Sequence, residues 1–338
     1  MAVVRQIPSP QPPPGLLLGL TLAIAVTGTF SSIRHFLDQK KYESAINAYQ
    51  AADCDTAVEE FNQIINAVRL VDIGNYTERS LQKKAECTFF QNALSDQKAG
   101  QFELALFNYA RVAVYDRSAL FKPIKNQISQ IFQQTPINTL VSRKVCSRID
   151  HLAEQNLLPN ADTNLPLLYS ECGKVYEQHQ TYYSAIKMYE QFLQQYPAHS
   201  LAENVRRSLA RTTVANVRSK GAQKISSPLP TGRTADGTTV IEIQNSSPHP
   251  MQMTFSGITP KFEEIEKCKG CVTYLNPPKA CPGKGPIARF VLEPGQYDIA
   301  VKPQSRFGTR VNPWSGTWAL KSGTKYQTCF SVVRNLID

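Results

Sequence analysis

Apolar side chains recur at intervals of three and four from Arg34 to about Val217, as in Ala57-Val58-Phe61-Ile64-Ile65 and Phe102-Ala105-Leu106-Tyr109-Val112. That spacing puts them on one face of a helix. It predicts helices over 34–51, 54–70, 77–98, 102–115, 118–134, 138–156, 164–179, 181–195 and 199–217, joined by turns short enough to make neighbours antiparallel. Beyond Thr238 the period changes. Val240–Ile243, Met251–Phe255, Arg289–Leu292, Tyr297–Val301, Thr317–Leu320 and Tyr326–Val333 alternate or run apolar, with turn residues such as Ser247-Pro248 and Pro294-Gly295 between them. Short strands at this density predict a small antiparallel sandwich. Ser219–Thr238, rich in Gly, Pro and Ser, reads as a linker. The expected fold class is α + β in separate domains: a helical domain over 34–218, a linker over 219–238 and a β-sandwich over 239–338.

The first residues have another character. Pro8, Pro10 and Pro12–Pro14 exclude a helix there, and Gly15–Ile33 carries no charge. With its apolar centre at Leu16–Val26, this span nearly reaches the length a bilayer needs. Residues 1–33 therefore read as a Pro-rich tail and a signal anchor or transmembrane segment. A cleaved signal peptide is the rival, although Arg5 alone supplies charge ahead of the core and no small-x-small pair follows it. Arg34, Lys40 and Lys41 outnumber Arg5, which favours the opposite orientation; the cysteines favour export.

One stretch of the helical region carries an ordered set of residues: Tyr169-x2-Cys172-Gly173-x2-Tyr176, Ala185-x3-Tyr189 and Pro197. This resembles the tetratricopeptide repeat. Weaker copies run through Phe89, Ala93, Ala105 and Tyr109, and through Ala45, Ala57 and Phe61, so the resemblance spans about 180 residues. Gly173 and Ala185 are small where two helices cross, the tyrosines fill the groove beside them, and 199–217 looks like a capping helix. The resemblance implies that the first helix of each pair, here 34–51, 77–98, 118–134 and 164–179, lines a concave binding face. Polar positions on those helices are Lys41, Asn47, Lys83, Lys84, Asn92, Lys122, Lys125, Asn126 and Lys174. Of these, Lys83, Lys84, Lys122, Lys125, Asn126 and Lys174 are the partner-binding candidates, suited to an acidic or carboxylate-ended peptide. In the strand region, Leu292-Glu293-Pro294-Gly295-Gln296-Tyr297-Asp298-Ile299 resembles a hairpin of immunoglobulin-like and transthyretin-like modules. The whole arrangement is similar to exported repeat proteins of bacteria, cyanobacteria among them.

Charge and cysteines refine this picture. The net charge is +10, yet residues 1–205 carry 18 basic and 19 acidic side chains. Seven basic residues and no acid lie between Arg206 and Arg233, a run that either is a solvated connector or attracts an anionic surface. Eight cysteines divide evenly: Cys54, Cys87, Cys146 and Cys172 among the helices, Cys268, Cys271, Cys281 and Cys329 among the strands. Cys146 and Cys172 stand at nearly equal distances from a turn near Asn160, and Cys54 and Cys87 about one hairpin apart, so two intra-hairpin disulfides are geometrically possible. Buried free thiols are the alternative. The second four admit two structural disulfides, one loop cysteine tying back to Cys329; a zinc site of Cys268, Cys271, Cys281 and Cys329; or redox thiols.

Catalytic signatures are missing. The five histidines are scattered, and there is no phosphate-binding glycine loop and no G-x-S-x-G. No catalytic residue and no cofactor is expected. Trp314 and Trp318 read as sandwich core or as sugar-binding aromatics. The sequence thus points to a membrane-tethered, extracytoplasmic protein–protein interaction scaffold, with a protein or peptide partner, membrane contact through 15–33 and no nucleic acid. The alternatives are an exported metal- or redox-active protein using the C-terminal cysteines, or a binder of cell-envelope polymer.

Overall fold

A computed structural model describes residues 35–67, 72, 74–276, 278, 280–304 and 311–333. The apolar span 15–33 lies outside them. Among the described residues no helix is long and apolar enough to cross a membrane. The N-terminal half is helical and the C-terminal part is built of two sheets, an α + β protein. The chain forms two compact units: one from residues up to Leu140 with Ser147–Ala161, the other from Val141–Cys146 and Asp162 onward.

The first unit begins with helix α1 (35–50), followed by α2 (Cys54–Ile65), α3 (Tyr76–Lys98), α4 (Phe102–Val112), α5 (Phe121–Gln134) and α6 (Ile137–Leu140). Local chemistry sets the helix starts. The Asp53 carboxylate caps α2 by accepting the Thr56 N–H at 3.2 Å, and Asp72 accepts the N–H groups of Tyr76 (2.9 Å) and Thr77 (2.8 Å) ahead of α3. The helix expected over 138–156 is instead three short pieces: α6, α7 (Arg143–Cys146) and α8 (Ile149–Glu154). Ser142 starts a new turn, its carbonyl taking the Cys146 N–H and its hydroxyl the Val145 N–H. A serine side chain that bonds nearby backbone competes in this way with helix continuation.

The second unit holds α7, α9 (Ala161–Gln178), α10 (Tyr182–Gln195), α11 (Ala202–Ser219) and both sheets. One sheet has the order β1-β8-β7-β4-β5 and the other β2-β9-β3-β6. The strands are β1 (Gln223–Lys224), β2 (Leu229–Arg233), β3 (Thr239–Asn245), β4 (Met251–Ser256), β5 (Lys261–Ile265), β6 (Ile287–Leu292), β7 (Gly295–Pro303), β8 (Trp314–Leu320) and β9 (Thr324–Phe330). The sandwich is mixed rather than purely antiparallel, because β1–β8 and β3–β9 pair in parallel. Ile241, Ile243, Phe255, Phe290, Tyr297, Ile299 and Trp318 are among the side chains that fill its core.

The expected linker is part of this unit. β1 and β2 come from it, and Ile225 enters the core with its N–H on the Ser315 carbonyl at 2.9 Å. Gly, Pro and Ser suit an edge strand as well as a connector: β2 contains Pro230 and lies at a sheet edge, where a missing N–H costs no ladder bond. The expected capping helix α11 packs on sheet residues, with Val214 and Val217 against Ala300. Arg218 secures it by donating to Ser315 Oγ at 3.0 Å and to the Asp298 carboxylate.

Candidate functional site

Three helical hairpins share one construction. Each turn has a middle residue with positive φ: Ala52 (+58°), Gly100 (+72°) and Gln180 (+56°). The next N–H reaches back over the turn, from Asp53 to the Ala48 carbonyl (3.0 Å), Gln101 to Asp96 (2.8 Å) and Thr181 to Tyr176 (2.8 Å). This doubly bonded helix ending fixes the angle at which the second helix returns. Each hairpin also carries two small buried residues twelve apart, one on each helix: Ala45 and Ala57, Ala93 and Ala105, Gly173 and Ala185. The five alanines are fully buried. At Gly173 the need for a small residue is steric, since a Cβ there would lie 2.2 Å from the Tyr189 ring. Tyr109 donates to Gln97 at 2.8 Å and Tyr189 to Glu177 at 3.0 Å, each spanning twelve residues across its own hairpin. Burial, followed by the charge and hydrogen bond of Glu177, raises the Tyr189 pKa. Glu177 also holds Arg211 of α11 through two bonds, at 2.8 and 3.1 Å, locking three helices at one carboxylate.

A second node lies in the first unit. The Glu86 side chain is fully buried, accepting from Lys83 Nζ at 2.8 Å and from the Tyr49 hydroxyl. Tyr49 also accepts the Ala119 N–H at 3.0 Å. Its only proton goes to Glu86, so Ser118, 2.9 Å away, donates to it. Burial and then the Glu86 bond raise the Tyr49 pKa. For Lys83, burial by itself would lower the pKa, but the bond and charge of Glu86 outweigh it and the net shift is upward.

The six partner-binding candidates therefore differ in character. Lys83 is committed to this node. Lys174 pairs with Glu171 at 2.7 Å on its own helix and belongs to the second unit. Lys122 and Asn126 are exposed on α5, while Lys84 on α3 and Lys125 on α5 are half-buried. None of the three lysines among these last four has an acidic partner among the described residues. Of the basic run, Arg206 and Arg207 share Glu203, Arg211 pairs with Glu177 and Arg218 with Asp298, so three carboxylates offset part of its seven positive charges.

All eight cysteines are bonded: Cys54–Cys87, Cys146–Cys172, Cys268–Cys271 and Cys281–Cys329. Cys281 is the loop cysteine that ties back to Cys329. Zinc needs thiolates, and the sulfurs of Cys268, Cys271, Cys281 and Cys329 are consumed in pairs, which overturns the four-cysteine metal site. No cluster of three metal-binding side chains occurs among the described residues. Beside the Cys268–Cys271 loop lies a cavity of about 410 Å³ lined by His249, Glu264, Glu266, Lys267, Lys269 and Gln304. Trp318 is fully buried, its indole N–H on the Ser226 carbonyl at 3.0 Å, and Trp314 packs on Phe330. Neither indole forms an open stacking platform. Sequence reasoning missed Tyr49, Glu86 and Ser118, which meet only through folding, and Glu177–Arg211, which joins residues 34 apart.

Comparison with protein-family models finds no match, and no curated protein matches the chain.

Proposed function

We propose that this chain is a membrane-tethered, extracytoplasmic interaction protein whose helical hairpins act as a tetratricopeptide-like scaffold for a protein partner. The observation that carries the reading is the repeated hairpin, with its twelve-residue small-to-small spacing and identical turn bonds. Rigid hairpins of this kind present side chains at fixed intervals for a partner segment. Four disulfides suit an oxidising compartment, where such bonds persist. The uncharged span Gly15–Ile33 supplies the tether.

The partner favoured by this reading is acidic or carboxylate-ended, held by Lys84, Lys122, Lys125 and Asn126. The test is affinity recovery of the tethered protein from its own membranes, with the partner identified by mass. The comparison is a variant carrying Lys84→Glu, Lys122→Glu and Lys125→Glu. Loss of the partner with unchanged circular dichroism supports the reading; equal recovery by the variant refutes this face as the binding surface.

A further inference from the structure

The exposed side of α1 changes character along its length. Phe36 and Leu37, in its first turn, are 54% and 52% exposed, whereas every other exposed residue of the helix is polar or charged. Lys40 places its ammonium 4.8 Å over the Phe36 ring, and Lys41 is exposed beside it. This end of the helix is held firmly: the His35 ring packs on Tyr76 of α3 at 5.6 Å, and Tyr42 on Tyr76 at 5.3 Å. The apolar pair is therefore presented by a packed helix end and not by a loose tail. In sequence it follows directly on the uncharged run Gly15–Ile33, with Arg34 between.

We infer that the first turn of α1 is a lipid-contact site, with Phe36 and Leu37 entering the headgroup boundary and Lys40 and Lys41 meeting anionic headgroups. The inference rests on the tether reading and adds to it a specific surface, lipid charge preference and orientation. A span that ends at residue 33 would leave Phe36 and Leu37 only three and four residues along the chain from its end. An aromatic and an aliphatic side chain flanked by lysines is the composition that lies well at such a boundary, the lysine stems reaching over the apolar pair toward phosphate. A second copy of the chain would meet the lysines of its twin, and the Pro-rich segment ahead of residue 15 offers one basic residue and no acid to complement them.

The test uses the full chain in nanodiscs of phosphatidylcholine, with or without phosphatidylglycerol. A photocrosslinking phenylalanine analogue is placed at position 36, at position 37, and, as a control, at position 44 on the polar stretch. Co-elution with the discs reads the tether, and the mass of the adducts reads the contact. Lipid adducts at 36 and 37 but not 44, stronger in anionic discs, support the inference. Lys40→Glu with Lys41→Glu should then lower the anionic-disc yield by about thirtyfold or more, since two lysines near an anionic surface together contribute about 2 kcal/mol. Co-elution with lipid-free adducts at 36 and 37, or with crosslinks to residues 1–34 or to a second copy, overturns the contact and leaves the tether standing. A chain that does not co-elute overturns both.

Discussion

Removing the Tyr49 hydroxyl probes how the first unit is held together. Tyr49→Phe keeps the ring but deletes the donor to Glu86 and the acceptor for Ala119 N–H and Ser118. A hydrogen bond to a charged group contributes about 1.5–3 kcal/mol, and a buried N–H left without a partner costs about 1–3 kcal/mol. Lys83 still neutralises Glu86, and local relaxation recovers part of the loss, so the net destabilisation is about 3 kcal/mol. For a unit of this size that is a fall of about 10 °C in Tm. Urea denaturation followed by hydrogen exchange in α1, α3 and the start of α5 measures it. A double-mutant cycle with Ser118→Ala should show a coupling of about 1 kcal/mol. If Tyr49→Phe costs less than about 1 kcal/mol with α1 exchange unchanged, the node is ornamental and the hairpins are held by apolar packing alone.

Gly173→Ala places a methyl into the Tyr189 ring and should cost about 2–3 kcal/mol, read as lower thermal stability, with Tyr189→Ala restoring part of the α9–α10 fit in the double variant. Breaking Cys146–Cys172 by Cys172→Ser should cost about 3–4 kcal/mol for a loop of this length, and peptide mapping without reductant should recover Cys146 and Cys172 in one linked pair. Burial alone would raise the Asp298 pKa, but the bonds from Thr317 and Arg218 hold it below the usual carboxylate value. A lowered carboxylate pKa contributes stability that is full above about pH 4 and is lost as pH falls through the folded value. Exchange protection at the C-terminal end of α11 should accordingly hold down to about pH 4 and fall below it in the native chain, and be flat in Asp298→Asn.

The helical half was legible because its information is periodic. A helix that buries one face must repeat at three and four, and two helices that cross closely must put small residues opposite one another, so Ala93, Ala105, Gly173 and Ala185 could be found without coordinates. Equal distances to a turn near Asn160 on two continuous helices predict the Cys146–Cys172 pair; the bond forms, but Cys146 lies on the short α7, so the pairing is there without the geometry that predicts it. Composition was a poorer guide. Gly, Pro and Ser in 219–238 marked a change of local geometry but could not tell a free connector from edge strands β1 and β2, because edge pairing depends on a partner strand nearly a hundred residues away. The same holds for α11, whose small and apolar residues Ala210, Val214 and Val217 suit a cap on a helix array and a helix lying on a sheet equally well. Which surface it meets was decided by Ala300 and Asp298 on β7 and Ser315 on β8. Lys83 is the plainest case: by sequence it is one lysine among several with an acid three residues on, and only the burial of Glu86 against Tyr49 makes it the half-buried counter-ion of a buried carboxylate. Local pattern determined most of the helices and the main strands, and it already placed an acid three residues from Lys83 and from Lys174. Long-range packing decided the rest, burying Glu86 against Tyr49 and joining Arg211 to Glu177, because burial and pairing across the chain depend on elements that meet only in the folded state.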